Sequence, residues 1–511
     1  MRVDLLHDGE DLDLDAPLPE QADALVTDLG LDVLLDVMAA GDRQVRAICR
    51  TVLLDGLDDA AAIGRRQGVV ADALAVADTI VMLHAVVVAG LDQGRRSYSG
   101  LFRDAPDAIV RRAVERLRVY VEVLRRLRVD TAPVRSRVTS PPMRALLDLL
   151  ATELDEAYLA GVEELLEELT FPRGLEYAAR LGRGGQPAEM VLRRPRARGW
   201  LARSMERSGD GFELPERDDD AAAALGRLRD QALAGVAAVL GQASEDIEAF
   251  LHRLRDELAF LVGCVRLHGT LTARGVAICF PEPVGQGGVG QDGAAPDGVG
   301  PALCVRGLTD PALALAMELA EPVVGNDLDA DGALLVLITG ANQGGKSTLL
   351  RSLGTAQLLL RAGMFVTAEA YRGQVHGAVF THFGREEDRD LQRGKLEEEL
   401  HRMQWIAERI RPGDLLLANE SFAATNEREG SELARQVFRA HLDVGVRVVA
   451  VTHLHDLAVS LVHTEAHRGV FLRAQREEGG ERTYRILPGE PLPTSYGQDL
   501  YRRIFGVEPA G

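Results

Sequence analysis

The apolar run Leu334-Leu335-Val336-Leu337-Ile338-Thr339 leads without a break into Gly340-Ala341-Asn342-Gln343-Gly344-Gly345-Lys346-Ser347, and Thr348, Leu349, Leu350 and Leu353 follow. The run reads as a buried strand, and the spaced leucines open a helix. The segment between them fits G-x-x-x-x-G-K-[ST], in the strand–loop–helix context that a phosphate-binding loop requires. Glycines let backbone N–H groups wrap phosphate oxygens, and the helix N-terminus adds a favourable dipole. Lys346 is then expected to neutralise the β- and γ-phosphates, and the Ser347 hydroxyl to ligate Mg²⁺. Gly340 through Thr348 is the expected ATP-binding loop.

Downstream, Asp414-Leu415-Leu416-Leu417-Ala418-Asn419-Glu420 reads as a second buried strand with a polar end. A P-loop ATPase keeps a metal-holding acid and a water-activating acid there. Here the pair is Asn419-Glu420. Asparagine keeps an oxygen but loses the charge, so weaker Mg²⁺ binding is expected. Glu420 fits a general base. A third strand, Val448 to Val451, ends in Thr452-His453, and a histidine at such a tip can sense the γ-phosphate. Ala302 to Gly307 and Met364 to Ala368 read as further short strands. Their alternation with helical stretches predicts a mainly parallel α/β sheet.

Upstream, residues 18–130 carry apolar residues at helical spacing. Ser140-Pro141-Pro142 opens another helix, running from Met143 to about Leu169, and a long one covers about Asp218 to Leu267. Between these two lies a basic, glycine-containing insert, which suggests a lever with something at its tip. Residues 281–301 hold seven glycines and four prolines and read as a flexible loop. The expected architecture is multidomain: an α-helical core and lever over 1–267 with a clamp-like insert at about 171–215, a strand-containing transition over 268–330, and an α/β P-loop NTPase domain over 331–511.

The 511 residues carry a formal net charge of -20, 27% charged and 46% hydrophobic residues, which are values of a globular chain. The four cysteines show no C-x-x-C spacing, which argues against a zinc site or disulfide framework. No apolar run approaches the length of a membrane span, and the acidic N-terminus lacks the pattern of a signal peptide. A cytoplasmic protein without membrane contact is expected. The first 60 residues hold 4 basic and 15 acidic side chains, whereas residues 171–207 hold nine arginines and three glutamates. Arg193, Arg194, Arg196, Arg198 and Arg203 gather around Trp200, a composition suited to phosphates and stacked bases as well as to a solvated loop. Only two of the 58 cationic side chains are lysines, Lys346 and Lys395.

With these motifs in place the chain resembles the MutS family of DNA mismatch-repair ATPases. Thr339 to Thr348 is similar to that family's TGPNMGGKST. Asn419-Glu420 through Ala424-Thr425-Asn426 to Gly430 resembles its DE-x-GRGTS stretch, Thr452-His453 its ATH, and Ser495-Tyr496-Gly497 its SYG. Ile63, Arg66-Gln67, Val70 and Asp72 look like its RQ-x-V-x-D pattern, and Asn326-Asp327 like the loop that approaches the adenine. The resemblance implies a DNA clamp at the lever tip, a C-terminal ATPase using ATP and Mg²⁺, and a homodimer with composite ATP sites. At this length it also implies a short form, without the mismatch-reading and connector domains. The family's STF serine, which reaches the partner's γ-phosphate, is replaced around Gly394-Lys395-Leu396-Glu397, which makes Lys395 a candidate trans contact. The expected function is ATP-driven dimer closure coupled to DNA backbone binding without sequence preference. A nucleotide-switched scaffold with little turnover and no DNA is the alternative.

Overall fold

A computed structural model describes all residues except 1–2, 10–11, 97–104, 173, 182–186, 194–218, 286–300, 318–322, 342, 385–393, 477–481 and 493–511. The chain forms two compact units, Met1–Asp4 with Asp78–Leu258, and Leu5–Ala77 with Ala259–Gly511.

In the first unit, helices α5 (Ala77–Arg96) and α6 (Pro106–Thr131) pack closely. Gly90 permits this, since a Cβ there would lie 2.2 Å from Val123 Cγ2. The single helix expected over 143–169 is divided into α7 (Pro141–Asp148), a π turn (Leu149–Glu153) and α8 (Glu156–Glu168). Asp155 explains the division, because its side chain accepts from the Tyr158 amide and so starts a new helix. Arg125 ties α6 to α8 through Glu163 at 2.8 Å and Glu156 at 3.1 Å. The antiparallel pair β1 (Glu176–Leu181) and β2 (Pro187–Arg193) forms the described part of the basic insert. The long helix α9 (Asp219–Ala273) follows, its residues up to Leu258 belonging to this unit.

The second unit begins with α1 (Ala22–Leu29), α2 (Leu31–Ala39), α3 (Arg43–Leu54) and α4 (Ala60–Ala75). The division expected at 267 and 330 therefore differs from the one observed. Helical periodicity identifies an apolar face, not the surface it meets. Asp28 of α1 supplies the reason for the observed grouping: buried, it pairs with Arg402 at 2.5 Å, and its carbonyl accepts from Arg351 Nε at 3.1 Å.

Two sheets follow. The smaller has the order β3 (Glu282–Val284), β7 (Ala370–Gln374), β4 (Leu303–Leu308), β5 (Asn326–Asp329), with α10 (Pro311–Ala316) after β4. The larger runs β12 (Arg482–Pro488), β11 (Gly469–Arg476), β6 (Leu335–Thr339), β10 (Arg447–Val451), β9 (Leu415–Asn419), β8 (Val379–Phe383). All its pairings are parallel except β11 with β12. Helices α11 (Lys346–Arg361), α12 (Lys395–Arg409), α13 (Glu427–Asp443) and α14 (His455–Thr464) accompany it. Strands β6 and β10 are buried along their whole length, as expected of a parallel sheet with two covered faces.

Met364 to Ala368 does not form the strand expected of it. Only Val366 makes a bridge, to Cys279, and the strand starts at Ala370. Within the expected flexible loop, Glu282–Val284 pairs with β7, while residues 286–300 lie outside the described part. No single helix among the described residues is long and apolar enough to cross a membrane.

Candidate nucleotide site

Three buried strands end side by side. Val451 pairs with Ile338 on one flank and with Asn419 on the other, and Phe383 lies opposite Asn419. The chain leaves these ends as Gly340, Glu420 and Thr452-His453, all at the carboxyl edge where parallel α/β sheets bind ligands.

The loop after β6 turns tightly. Gly340 and Gly345 have φ of 117° and 89°, and Gln343, without glycine's freedom, has 61°. A Cβ on Gly344 would meet Ala474 of β11 at 2.8 Å. Lys346, the first residue of α11, is only 4% exposed, and its ammonium donates to the carbonyls of Gly340 at 2.7 Å and Ala341 at 2.8 Å. Burial pulls its pKa down, and the Glu420 charge partly offsets that. Asn342 lies outside the described residues.

Ser347 Oγ donates to Asn419 Oδ1 at 3.0 Å. Glu420 Oε1 lies 3.5 Å from His453 Nδ1. This contact holds the Glu420 carboxyl below its ordinary pKa and raises His453 above its own, in each case against the effect of burial. An ionised acid and a histidine inclined to protonation therefore face each other beside the loop. Among the described residues no group of three or more His, Cys, Asp or Glu could hold a metal by itself. A hydroxyl and an amide oxygen 3.0 Å apart fit a hard cation that takes oxygen ligands and completes its shell from phosphates and water.

Asn326 sits on β5, buried, with its amide used by β12: Oδ1 accepts from the Ile486 amide at 2.7 Å, and Nδ2 donates to the Tyr484 carbonyl at 3.3 Å. Both ends are thus occupied by backbone, so Asn326 anchors the sheet edge beside the loop. Arg482, on the same strand, donates to Gln343 Oε1 at 2.5 Å. Sequence reading missed β11 and β12, the hairpin that closes the loop from one side. Lys395 is the first residue of α12 and is half-buried. Arg193 ends β2, exposed, whereas Arg194, Arg196, Arg198, Trp200 and Arg203, like Ser495 to Gly497, lie outside the described residues.

Sequence reading also missed His382, which the β8–β9 pairing brings beside the strand end that carries Glu420. The run Val379-Phe380-Thr381-His382-Phe383, rich in β-branched and aromatic residues, carried the signal for that strand.

Two family models match this chain, the MutS2 N-terminal domain over residues 58–274 and MutS domain V over residues 336–503. Among similar proteins is an Endonuclease MutS2 of Carboxydothermus hydrogenoformans, 33% identical over 159 residues, 31% of this chain and 20% of that protein. A DNA mismatch repair protein MutS of Chloroflexus aurantiacus is 31% identical over 189 residues, 34% of this chain and 20% of that protein. An Endonuclease MutS2 of Thermus thermophilus is 29% identical over 170 residues. The matched stretch spans about a fifth of the length of the first two relatives. The helical and nucleotide-site matches fall on the two parts of the sequence that carry the motifs above, and the chain belongs to the MutS family.

Proposed function

We propose that this chain binds and hydrolyses ATP with Mg²⁺, and that nucleotide binding closes a homodimer that grips DNA by its backbone. The observation that carries the reading is the convergence of Ser347, Asn419, Glu420 and His453 around the Lys346 loop. The Lys346 ammonium exchanges its bonds to two loop carbonyls for bonds to phosphate oxygens. The Glu420 carboxylate, kept ionised beside His453, accepts a proton from the attacking water. His453 then turns to the γ-phosphate. Ser347 and Asn419 would hold Mg²⁺, which when bound neutralises phosphate charge.

Lys395 is the proposed trans contact to a partner's nucleotide. The insert at about 171–215 is the proposed clamp at the end of a helical core and lever, with Arg193, Arg194, Arg196, Arg198, Trp200 and Arg203 on the DNA backbone. The relatives' names, an endonuclease and a mismatch-repair protein, support DNA as the partner. Phosphate contacts position a protein without reading sequence, so binding is expected to be salt-sensitive and indifferent to mismatches.

Two measurements test the reading. ATP turnover with Mg²⁺, with and without duplex DNA, is expected to be stimulated by DNA. Filter binding at two salt concentrations is expected to weaken when Arg193, Arg194, Arg196 and Arg198 are all changed to Gln. Equal affinity in that variant would remove the clamp from the account.

A further inference from the structure

His382 is 1% exposed near the end of β8, opposite Ala418. Its Nε2 lies 3.1 Å from the Glu399 carbonyl of α12. A carbonyl only accepts, so Nε2 carries the proton. Nδ1 is then an acceptor, and the Ser421 hydroxyl 2.6 Å away donates to it. Burial pushes the ring's pKa down to about 4, which keeps it neutral in this one tautomer. The ring also lies against Phe422, with centroids 5.4 Å apart and planes at 33°.

The residues it touches belong to a strained elbow. Glu420 and Phe422 both have left-handed backbones, with φ of 55° and 62°. Such a non-glycine residue is strained and persists only where its surroundings fix it. Here the hydroxyl of the intervening Ser421 is bound by the imidazole, and the fully buried Phe422 ring packs on it. The elbow meets α12 a second time, where the Phe422 amide offsets the burial that raises the Glu399 carboxyl.

We propose that His382 is a positioning residue for Glu420, holding the left-handed elbow from Glu420 to Phe422 against helix α12 and so aiming the carboxylate. This rests on the reading of Glu420 as the base. Helix α12 opens with Lys395, so the same link joins the aim of the base to the element that carries the proposed trans contact.

Ser421→Ala removes only the hydroxyl of the link. Single-turnover ATP hydrolysis is expected to fall at least about tenfold, with MgATP affinity and melting temperature held. Ser421→Thr keeps a hydroxyl and is expected to retain most of the rate, whereas His382→Gln, which keeps a donor toward the Glu399 carbonyl but loses the imidazole, is expected to fall as far as Ser421→Ala. A readout free of turnover accompanies these: the His453 ring signal by NMR at neutral pH, expected to move in Ser421→Ala toward its position in Glu420→Gln. A wild-type chain that turns over no ATP would end the ATPase reading, while the His453 signal would still decide the positioning role. An unmoved signal, or a wild-type rate in folded Ser421→Ala, overturns it.

Discussion

In the second unit Arg447 and Lys346 are both buried on backbone carbonyls, at different places on the large sheet. Arg447, at the start of β10, reaches four carbonyls: Ala333 at 3.0 Å, Ala302 at 3.0 Å, Pro301 at 3.0 Å and Ala330 at 2.7 Å. Burial pulls it down to about 10, and it stays charged. Lys346, after β6, reaches two carbonyls at the neck of its own loop. The difference is shape and place. A planar guanidinium fork spread over four carbonyls of one buried junction ties the small sheet to the large one, away from the strand ends. An ammonium with three donors on two carbonyls keeps capacity for a phosphate.

The comparison can be broken at either end. Arg447→Met is expected to cost roughly 3 kcal/mol or more, from lost charge-assisted bonds and a poorly filled space. Denaturant unfolding reads this, and Arg447→Lys should recover only part, since a point charge cannot span the four acceptors. An Arg447→Met chain as stable as wild type would refute the structural role given to the fork. Lys346→Ala is expected to do the reverse. ATP affinity falls about a hundredfold, roughly 2.7 kcal/mol, while the unfolding midpoint holds or rises, because a buried cation is removed. Equilibrium titration with ATP beside a melting curve shows whether the two effects separate.

The other two effects are smaller and sharpen the same contrast. Asn419→Asp adds a charge next to the Ser347 hydroxyl, so half-saturating Mg²⁺ for ATP turnover should fall about tenfold. An unchanged Mg²⁺ requirement would take Asn419 out of the metal site. The Glu420–His453 contact is expected to add under about 1 kcal/mol to stability, since both side chains are more than a third exposed. Glu420 is lowered and His453 raised, so this small term exists between their folded pKa values. It is lost as pH falls through that of Glu420, and again as pH rises through that of His453. The stability difference between wild type and Glu420→Gln across pH should peak inside that window and vanish outside it.

The sequence made the nucleotide loop, Asn419-Glu420 and His453 legible because each sits in a local pattern, an apolar strand with a polar tip. The same reasoning placed a strand at Met364 to Ala368, where buried residues make one bridge, to Cys279, and Thr367 bonds Thr309, without forming a ladder. It assigned the first helices to a helical domain, whereas Asp28 ties α1 to Arg402 and Arg351 within the second unit. It likened Asn326-Asp327 to a loop that approaches the adenine, and had no sign of the bonds that the Asn326 amide makes to the backbone of β12. It had no access to His382, whose partners Glu399 and Ser421 stand 17 and 39 positions away in the chain. What escaped the sequence in each case is a pairing between distant segments, set by sheet order and not by local composition.

In the proposed function the strand-end cluster around Lys346 hydrolyses ATP with Glu420 as the base. Single-turnover hydrolysis of MgATP by wild type and Glu420→Gln, each with its ATP affinity measured alongside, tests it most directly. Turnover is expected in wild type and a loss of about 100-fold or more in Glu420→Gln, with ATP bound equally well by both. Equal rates in the two, or tight ATP binding with no turnover in wild type, would contradict it.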